Sequence, residues 1–376
     1  MAPDNQLHRP VRVLVADDSG FMRTAIKRMI ESDPQLQVMD VAKDGMEALE
    51  KIHTLHPDVV TLDIEMPRLN GLETLKQIMQ TEPCQVIMIS SLTQEGAETT
   101  FECLAEGAFD YIPKQLSYVS LDIVKIREDL VAKIKAAAGE KRRFRPARAA
   151  AATPAATEVH SRSVASHATM AAPPSRLTAH VTPAVIAIGT STGGPKALQE
   201  ILPLLPDDLS VGVVIVQHMP VGFTGPFARR LDSMCKIKVR EAQEDELISP
   251  ATVLIGPAGW HLTVKRRGTS PASVHLSKLP ADKLHIPSVD VMMLSVAEVF
   301  GGSAMGVILT GMGDDGKQGM AAIYKAGGLT VGQDEASCAV YGMPRSCAEQ
   351  GSLRRVVPLM RVPDEILTAT GYVRKN

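Results

Sequence analysis

Short apolar runs alternate with helix-like stretches along this chain of 376 residues. In its first part, five apolar runs have the length and composition of strands, at residues 11–16, 38–42, 59–62, 86–89 and 111–112. Between them, apolar side chains recur at helical spacing, as in Phe21, Met22, Ile26 and Met29. Five strands, each followed by a helix, are typical of a doubly wound parallel sheet, which binds its ligands at the carboxyl ends of the strands.

The last part of the chain repeats this alternation less regularly. Strands are predicted at 185–188, 213–216, 253–255, 306–309 and 329–331, and helices at 196–205, 226–232, 290–300 and 317–326. The turn-rich segment 238–274 predicts hairpins. We therefore expect an α/β protein with two doubly wound parallel-sheet domains.

The two parts are separated by a stretch rich in Ala, Ser, Thr and Pro, residues 139–182. Neither a helical nor a strand period persists there, and this composition buries too little apolar surface to offset the entropy of the chain. We interpret it as a flexible linker. The predicted division is then an N-terminal domain at 1–138, the linker at 139–182 and a C-terminal domain at 183–376.

Charge and composition exclude several function classes. Lys and Arg number 40 and Asp and Glu 42, so the net charge of -2 argues against a protein that mainly binds nucleic acid or an anionic membrane. No apolar run is long enough to insert into a membrane, and the first residues lack the apolar run of a signal peptide. The five cysteines form no CxxC pair, which favours free thiols. We expect a cytoplasmic protein.

Five polar side chains follow strands of the first predicted sheet. Asp17 and Asp18 end the first strand, Asp63 ends the third, and Ser90 and Lys114 follow the fourth and fifth. Neighbouring first and third strands would bring the three carboxylates together, an all-oxygen set suited to Mg²⁺. A carboxylate flanked by a divalent cation and a lysine can serve as a nucleophile toward a phosphoryl donor.

The runs that carry these residues, VLVADDSGFMR, VVTLDIEMPRLNGLETL, MISSLT and DYIPK, resemble a response-regulator receiver domain over about residues 11–135. The resemblance implies that Asp63 accepts the phosphoryl group. It also implies that Asp18, Asp63 and the carbonyl of Glu65 bind Mg²⁺, with Asp17 as an outer partner.

The same resemblance implies that Ser90 and Lys114 are the receiver's switch residues. One position departs from the pattern, because receivers commonly have Pro directly after this lysine and the present chain has Gln115. The departure puts the usual cis peptide bond in doubt but not phosphorylation.

A second candidate site is the run IAIGTSTGGPKAL, which places Ser191 between a predicted strand and a predicted helix. Gly189, Ser191 and Gly193 match the nucleophile-elbow pattern GxSxG. A serine in such a turn projects outward, and the amides of the following helix favour an oxyanion nearby. The run is not a P-loop, because Pro195 stands where the P-loop lysine would be.

A rival interpretation comes from Gly311, Gly313 and Gly316, which fit the dinucleotide pattern GxGxxG after a strand. Asp334 and Glu335 follow at about the distance of a ribose-binding acid. Two further carboxylates, at residues 314 and 315, lie within the loop, however, and would repel a pyrophosphate.

A serine nucleophile requires a base and a group that orients the base. His218 ends the strand of VVIVQH and Asp315 follows another strand, so both are expected at the edge of the sheet where the serine lies. Spacing leaves His261 or His285 as alternative bases and Asp314 as an alternative orienting acid.

Long motifs of the last part are similar to the catalytic domain of the CheB family of chemotaxis protein-glutamate methylesterases. They are IGTSTGGPKAL, VQHMPVGFTGPFARRLD, HIPSVDVMMLSVAE, GVILTGMGDDGKQGM and EASCAVYGMPRSC. The resemblance covers nearly all of residues 183–360. It implies Ser191 as nucleophile, His218 as base and Asp315 as orienting acid, and it places the oxyanion near the amides of Thr192 and Met312.

The resemblance also implies an activity and its control. The substrates would be glutamate γ-methyl esters, and some glutamines, on methyl-accepting chemoreceptors, with no cofactor for hydrolysis. The N-terminal domain would block the active site until phosphorylated by the histidine kinase CheA. Two rival functions remain from the residues alone: a transcriptional regulator, which the charge balance and the lack of a helix-turn-helix pattern disfavour, and a catalytically silent receptor-binding adaptor.

Overall fold

The computed structural model describes residues 9–114, 122–143 and 182–373. The N-terminal domain contains a five-stranded parallel sheet in the order β2-β1-β3-β4-β5. Its strands are β1 (Val11–Ala16), β2 (Leu36–Ala42), β3 (Val59–Asp63), β4 (Gln85–Ser90) and β5 (Asp110–Pro113). The order confirms that the first and third strands are neighbours, and the change of direction between β1 and β3 opens the crevice in which such sheets bind ligands.

Five helices cover the two faces of this sheet. They are α1 (Gly20–Glu31), α2 (Gly45–Leu55), α3 (Gly71–Thr81), α4 (Gln94–Ala105) and α5 (Asp122–Arg143). The first four each begin after a polar side chain that accepts a hydrogen bond from an amide of the first turn: Ser19, Asp44, Asn70 and Thr93. Such caps satisfy donors that the helix itself leaves unpaired.

The C-terminal domain contains a seven-stranded parallel sheet in the order β14-β13-β12-β6-β7-β9-β8. Its strands in chain order are β6 (Val185–Thr190), β7 (Gly212–Gln217), β8 (Lys238–Glu241), β9 (Thr252–Ile255), β12 (Ala304–Ile308), β13 (Leu329–Gln333) and β14 (Arg355–Val357). Between β9 and β12, the chain forms an antiparallel hairpin of β10 (His261–Lys265) and β11 (Ser273–Ser277). Hairpins are predicted from the sequence over 238–274; one forms at 261–277, whereas residues 238–241 form β8 of the parallel sheet instead.

The helices of this domain are α6 (Gly194–Ile201), α7 (Thr224–Met234), α8 (Val289–Phe300), α9 (Lys317–Lys325), α10 (Met343–Glu349) and α11 (Val362–Ala369). The central strands β6 and β7 are buried along their whole length, which is why they are uniformly apolar rather than alternating. Both domains are therefore doubly wound, as the sequence predicts. Among the described residues, no helix is long and apolar enough to cross a membrane.

The predicted linker at 139–182 lies mostly outside the described residues. At its beginning, α5 continues to Arg143, and at its end the described chain resumes at residue 182, shortly before β6.

The two domains pack against each other through aromatic side chains. Tyr111 of β5 stacks on Phe223, which precedes α7, with ring centroids 5.1 Å apart and ring planes 5° apart. Phe101 of α4 contacts Phe223 and Phe227, at centroid distances of 6.1 and 4.9 Å. Tyr111 and the three phenylalanines are all buried, so the contact forms a continuous apolar core between the domains.

Candidate functional site

Three polar side chains meet at the carboxyl edge of the second sheet. Ser191 directly follows β6 and His218 directly follows the neighbouring strand β7. His218 Nδ1 lies 3.1 Å from Ser191 Oγ, and His218 Nε2 lies 2.8 Å from Asp315 Oδ2. The imidazole therefore bridges a hydroxyl and a carboxylate, which is the geometry in which a base withdraws a proton from a serine nucleophile.

Two glycines are required at the Ser191 turn, one within it and one in the loop that packs against it. Gly193 has φ of 76°, in the left-handed region, and this conformation lets the chain pass from β6 directly into α6. Gly311 approaches the serine so closely that a Cβ there would lie 2.9 Å from Cβ of Ser191. The Ser191 amide donates to the carbonyl of Thr310 at 3.1 Å, which fixes the turn against the loop after β12.

Asp315 is held by the N-terminus of α8. Its Oδ1 accepts hydrogen bonds from Ser288 Oγ and the Asp290 amide, both at 2.9 Å, and its Oδ2 accepts one from the Val289 amide at 2.7 Å. Burial alone would raise the pKa of Asp315, but the hydrogen bond and charge of His218, together with these amides, hold its pKa well below the usual value. The carboxylate therefore stays ionised and fixes the orientation of His218.

Two backbone amides near the serine have no partner. Within the described part of the chain, neither the Thr192 nor the Met312 amide donates a hydrogen bond. Thr192 is buried in the turn, and Met312 lines a cavity of about 240 Å³ with His285 and Asp315. Free amides of this kind can stabilise negative charge that develops on a carbonyl oxygen.

The two alternative bases and the alternative orienting acid do not take the places of His218 and Asp315. His261 is fully buried, with Nε2 2.9 Å from the carbonyl of Pro280 and Nδ1 accepting the Ser288 amide at 3.1 Å, so both ring nitrogens are bound to the backbone. His285 stacks face to face on His218, with centroids 3.9 Å apart and planes 19° apart. Asp314 is exposed.

The glycine loop that matches the dinucleotide pattern contributes to the hydrogen bonds around His218. Asp315 lies within it and is bound to His218 and α8. The predicted ribose ligand Asp334 instead accepts hydrogen bonds from the amide and hydroxyl of Ser337, at 3.0 and 2.6 Å, which close a local turn. The loop therefore serves to position a carboxylate beside a histidine.

The predicted carboxylate cluster forms at the carboxyl edge of the first sheet. Carboxylate oxygens of Asp17, Asp18 and Asp63 lie within 4.8 Å of one another. Lys114 Nζ lies 2.6 Å from Asp63 Oδ2 and 3.4 Å from Asp17 Oδ2. The Glu65 amide donates to Asp63 Oδ1 at 3.2 Å, which places its residue at the rim of the same cluster.

This cluster has the properties expected of a cation site. Asp17 is fully buried, and its Oδ2 accepts no hydrogen bond from the described residues. Burial raises the pKa of Asp63 to about 6, despite the hydrogen bond from Lys114, and the charge of Asp17 adds to the increase. A divalent cation among these carboxylates would relieve their repulsion, so the residues fit Mg²⁺.

Ser90, in contrast, is turned away from Asp63. Its hydroxyl accepts from Thr100 Oγ1 at 2.6 Å and lies 3.2 Å from the carbonyl of Gly96, both in α4. The structure thus brings Lys114 to the acidic cluster but leaves the second predicted switch residue bound to α4. Gln115 lies outside the described residues.

The N-terminal domain reaches the loop of the candidate nucleophile. Asp110 at the start of β5 is almost fully buried, and the amide of Gly193, two residues after Ser191, is close enough to favour its ionised form. Ala339 and Val340, next to the Ser191 turn, pack against the apolar core of the N-terminal domain. The two candidate sites are therefore linked through the domain contact.

Several residues of the second site were not found from the sequence. Ser288 caps α8 through the Val291 amide and also donates to Asp315, and the Asp290 amide completes the support of that carboxylate. The pattern Ser-Val-Asp before an apolar helix is a signal for a capped N-terminus. It did not indicate which carboxylate the helix end would bind.

Comparison with known proteins covers both domains. The family model described as CheB methylesterase matches residues 186–366, and the response regulator receiver domain matches residues 13–123.

Relatives match almost the whole chain. A protein-glutamate methylesterase/protein-glutamine glutaminase of Pyrococcus abyssi is 43% identical over 97% of this chain and 95% of its own. One of Oleidesulfovibrio alaskensis is 45% identical over 96% of this chain and 99% of its own. The crystal structure of the Thermotoga maritima CheB methylesterase catalytic domain is 37% identical, covering 50% of this chain and 99% of that chain with a TM-score of 0.48.

Proposed function

This chain belongs to the protein-glutamate methylesterase/protein-glutamine glutaminase family, and we propose from this membership and from its two sites that it demethylates chemoreceptors under the control of phosphorylation. The reaction is hydrolysis of glutamate γ-methyl esters, with deamidation of selected glutamines by the same residues. The observation that carries the proposal is the contact of His218 with both Ser191 and Asp315.

The geometry supports a two-step hydrolysis. His218 takes the proton from Ser191 Oγ as this oxygen attacks the ester carbonyl, and the amides of Thr192 and Met312 stabilise the oxyanion. The protonated imidazole then gives its proton to the leaving methoxide oxygen, which departs as methanol, or to the amide nitrogen of a glutamine, which departs as ammonia. Water, deprotonated by the same imidazole, releases the glutamate and restores the serine.

Asp315 would support both steps without taking up a proton itself. Because its pKa lies well below the usual value, it remains a carboxylate while His218 becomes an imidazolium. The α8 amides that bind Asp315 keep the imidazole oriented toward Ser191.

For the receiver domain, we propose that Asp63 accepts a phosphoryl group from the histidine kinase CheA. Asp18, Asp63 and the Glu65 carbonyl would hold Mg²⁺, with Asp17 as an outer partner, and the bound ion would neutralise charge on the phosphoryl oxygens. Lys114 already lies on Asp63 and can contact the same oxygens. Ser90 would leave α4 and act with Lys114 as a switch, which couples the site to the helix that contacts the C-terminal domain.

The domain contact supports inhibition by the unphosphorylated receiver. Asp110 and Tyr111 of β5 lie against the Ser191 loop and Phe223, on the same short strand that leads to Lys114. A change at Lys114 can therefore loosen the contact beside the nucleophile. Because the proposed kinase and receptor helices are cytoplasmic, the protein would act in the cytoplasm.

The test measures methanol released from methylated receptor membranes by the full chain, with and without a small phosphodonor. We expect a basal rate that the phosphodonor increases. Ser191→Ala should abolish release in both conditions, and Asp63→Ala should keep the basal rate but lose the stimulation. Full activity of a folded Ser191→Ala protein would contradict the catalytic assignment, and equal stimulation of Asp63→Ala would contradict the regulatory one.

A further inference from the structure

Four apolar side chains stand exposed on the loops around the catalytic histidine. Val221 is 66% exposed and lies three residues after His218, while Leu279 and Leu284 are 71% and 74% exposed. Trp260, 41% exposed, completes the set, which we call the apolar rim. Exposed apolar side chains that cluster beside a functional cleft are typical of an interaction surface, because their solvation is unfavourable unless a partner covers them.

The loops of the rim are fixed to one another. The Gly259 amide donates to the carbonyl of Ile286 at 3.0 Å, and a Cβ on Gly259 would lie 3.2 Å from Val221. The buried His261 lies 2.9 Å from the carbonyl of Pro280, which follows Leu279. The rim is therefore a preformed surface, and binding to it would require little ordering of the loops.

The rim is continuous with the catalytic cavity. Leu284 lines this cavity together with His285, whose ring stacks on His218, and with Met312. Leu284 and Asp315, which is bound to His218, therefore line the same cavity.

Three lysines lie beside the rim. Lys278 lies over the ring of Trp260, with Nζ 4.8 Å from its centroid, Lys283 precedes Leu284, and Lys317 lines the cavity. Two exposed acids accompany them, Asp282 between Leu279 and Leu284 and Asp314 at the cavity. A partner with apolar side chains for the rim and acidic side chains for the lysines would complement this surface.

We propose that the apolar rim is the docking surface for the substrate itself, an amphipathic helix in which apolar and acidic side chains flank the glutamyl ester. On a helix, residues three and four positions away lie on the same face as the reacting side chain. These neighbours would contact Leu279 and Leu284, and acidic ones would face Lys278 and Lys283. This inference rests on the proposed function, because it takes the substrate to be a glutamyl ester on a protein helix.

The rim side chains are exposed while the receiver is docked, although Phe223, two residues after Val221, stacks on Tyr111 of the receiver. Docking should therefore not require phosphorylation. The rim would set the KM for the receptor in both the basal and the stimulated state, while the receiver controls the catalytic rate.

The experiment compares two substrates, methylated receptor membranes and p-nitrophenyl acetate, which is too small to cover the rim. We expect Val221→Ser/Leu279→Ser, two rim residues that do not line the cavity, to raise KM for the receptor at least tenfold, with and without phosphodonor, while kcat/KM for the small ester falls less than threefold. Met360→Ser is the matched control, because Met360 is 53% exposed and lies just before α11, on a different segment from the rim loops. It should behave as wild type.

Charge is tested separately by Lys278→Glu/Lys283→Glu, which should raise KM for the receptor and weaken its dependence on salt. If the wild type hydrolyses the small ester but releases no methanol from receptors, the proposed function fails. If it demethylates receptors and the rim variants keep the wild-type KM, only the docking surface is wrong. A rim variant that changes the sedimentation of the protein but not its KM would assign the surface to a second copy of this chain instead.

Discussion

Ionisation of Asp63 destabilises the folded state. It is almost fully buried beside Asp17, and burial raises its pKa to about 6 from an ordinary value of 3.8. Between these values, the folded state binds a proton more tightly than the unfolded chain does. The free energy of unfolding therefore falls as the pH rises from about 4 to about 6, and the loss is complete above that window.

We expect Asp63→Asn to stabilise the protein at pH 7.5 in buffer that contains a chelator. The amide can still accept a hydrogen bond from Lys114, but it carries no charge against Asp17. The free energy of unfolding should increase by roughly 1–3 kcal/mol, since one pKa unit corresponds to about 1.4 kcal/mol. The measurement is thermal or urea unfolding of both proteins.

Two conditions serve as controls for this prediction. At pH 4, where the Asp63 carboxyl is mostly protonated in the folded state, the difference between the two proteins should shrink. Millimolar Mg²⁺ at pH 7.5 should stabilise the wild type more than Asp63→Asn, because the cation relieves the repulsion only where the charge exists. Equal stability in chelator at both pH values would show that the charge of Asp63 carries no cost.

For the residues of the second site, the sequence predicted where side chains lie better than which side chains contact one another. Ser191 and His218 were expected at one edge of the sheet because each follows a parallel strand, and the structure places them there. Spacing could not choose His218 over His261 and His285, because all three lie near that edge. The choice depends on hydrogen bonds across loops: His261 is bound to two backbone groups, whereas His218 faces the serine.

Two carboxylates link the beginnings of helices α8 and α9. Asp315, just before α9, accepts the amides of Val289 and Asp290 at the start of α8. In return, Asp290 Oδ1 accepts the Gly319 amide of α9 at 2.8 Å. Each helix dipole thus meets an acid supplied by the other element, and the distance between the two helix ends determines where Asp315 lies.

We expect Asp290→Ala to lower kcat for ester hydrolysis about ten- to a hundredfold with little change in KM. Loss of the acceptor for Gly319 would let the start of α9 move, and a small displacement of Asp315 weakens its hydrogen bond to His218. Steady-state kinetics of ester hydrolysis measures both parameters.

Asp290→Asn is the matched variant, because its amide oxygen can still accept the Gly319 hydrogen bond. It should keep kcat within about threefold of wild type. If the Asn variant is as impaired as the Ala variant, the charge of Asp290 matters rather than its hydrogen bond to α9.

Among the strands and helices, the buried central strands could be predicted from the sequence, whereas the edge strand and the shortest helix could not. The buried strands β6, β7 and β12 are long apolar runs, so their existence followed from composition. The strand β14 at the sheet edge has three residues, Arg355 among them, and is mostly exposed, so it has no apolar signal. The helix α10, of seven residues, is too short to show a helical period.

Four of the thirteen aromatic residues of the chain lie at the contact between the domains. The sequence contains 7 Phe, 5 Tyr and 1 Trp, and the contact contains Phe101, Tyr111, Phe223 and Phe227. No motif in the sequence predicts this contact, because it joins α4 and β5 to residues more than a hundred positions away. Aromatic pairs of this kind add roughly 0.5–1.5 kcal/mol each beyond the burial of their area.

An exposed ion pair lies at the border of the same contact. Arg229 of α7 and Glu98 of α4 are 3.3 Å apart, and both side chains are more than half exposed. Because solvent and salt screen such a pair, it contributes little to docking. The aromatic core rather than this pair should set the docking equilibrium, so the two contributions can be separated by mutation.

We expect Phe101→Ala to raise the basal rate of methanol release on the order of tenfold and to reduce the further effect of a phosphodonor. The variant removes the receiver's contacts with Phe223 and Phe227 but leaves the C-terminal domain unchanged, so it favours the undocked state. Glu98→Gln should change the basal rate less than twofold. Ile52→Ala controls for general destabilisation of the receiver, since Ile52 is buried in α2, which packs on β1, β2 and α3 of the receiver. A basal rate that rises equally in Phe101→Ala and Ile52→Ala would mean that unfolding of the receiver, rather than loss of the aromatic contact, exposes the active site.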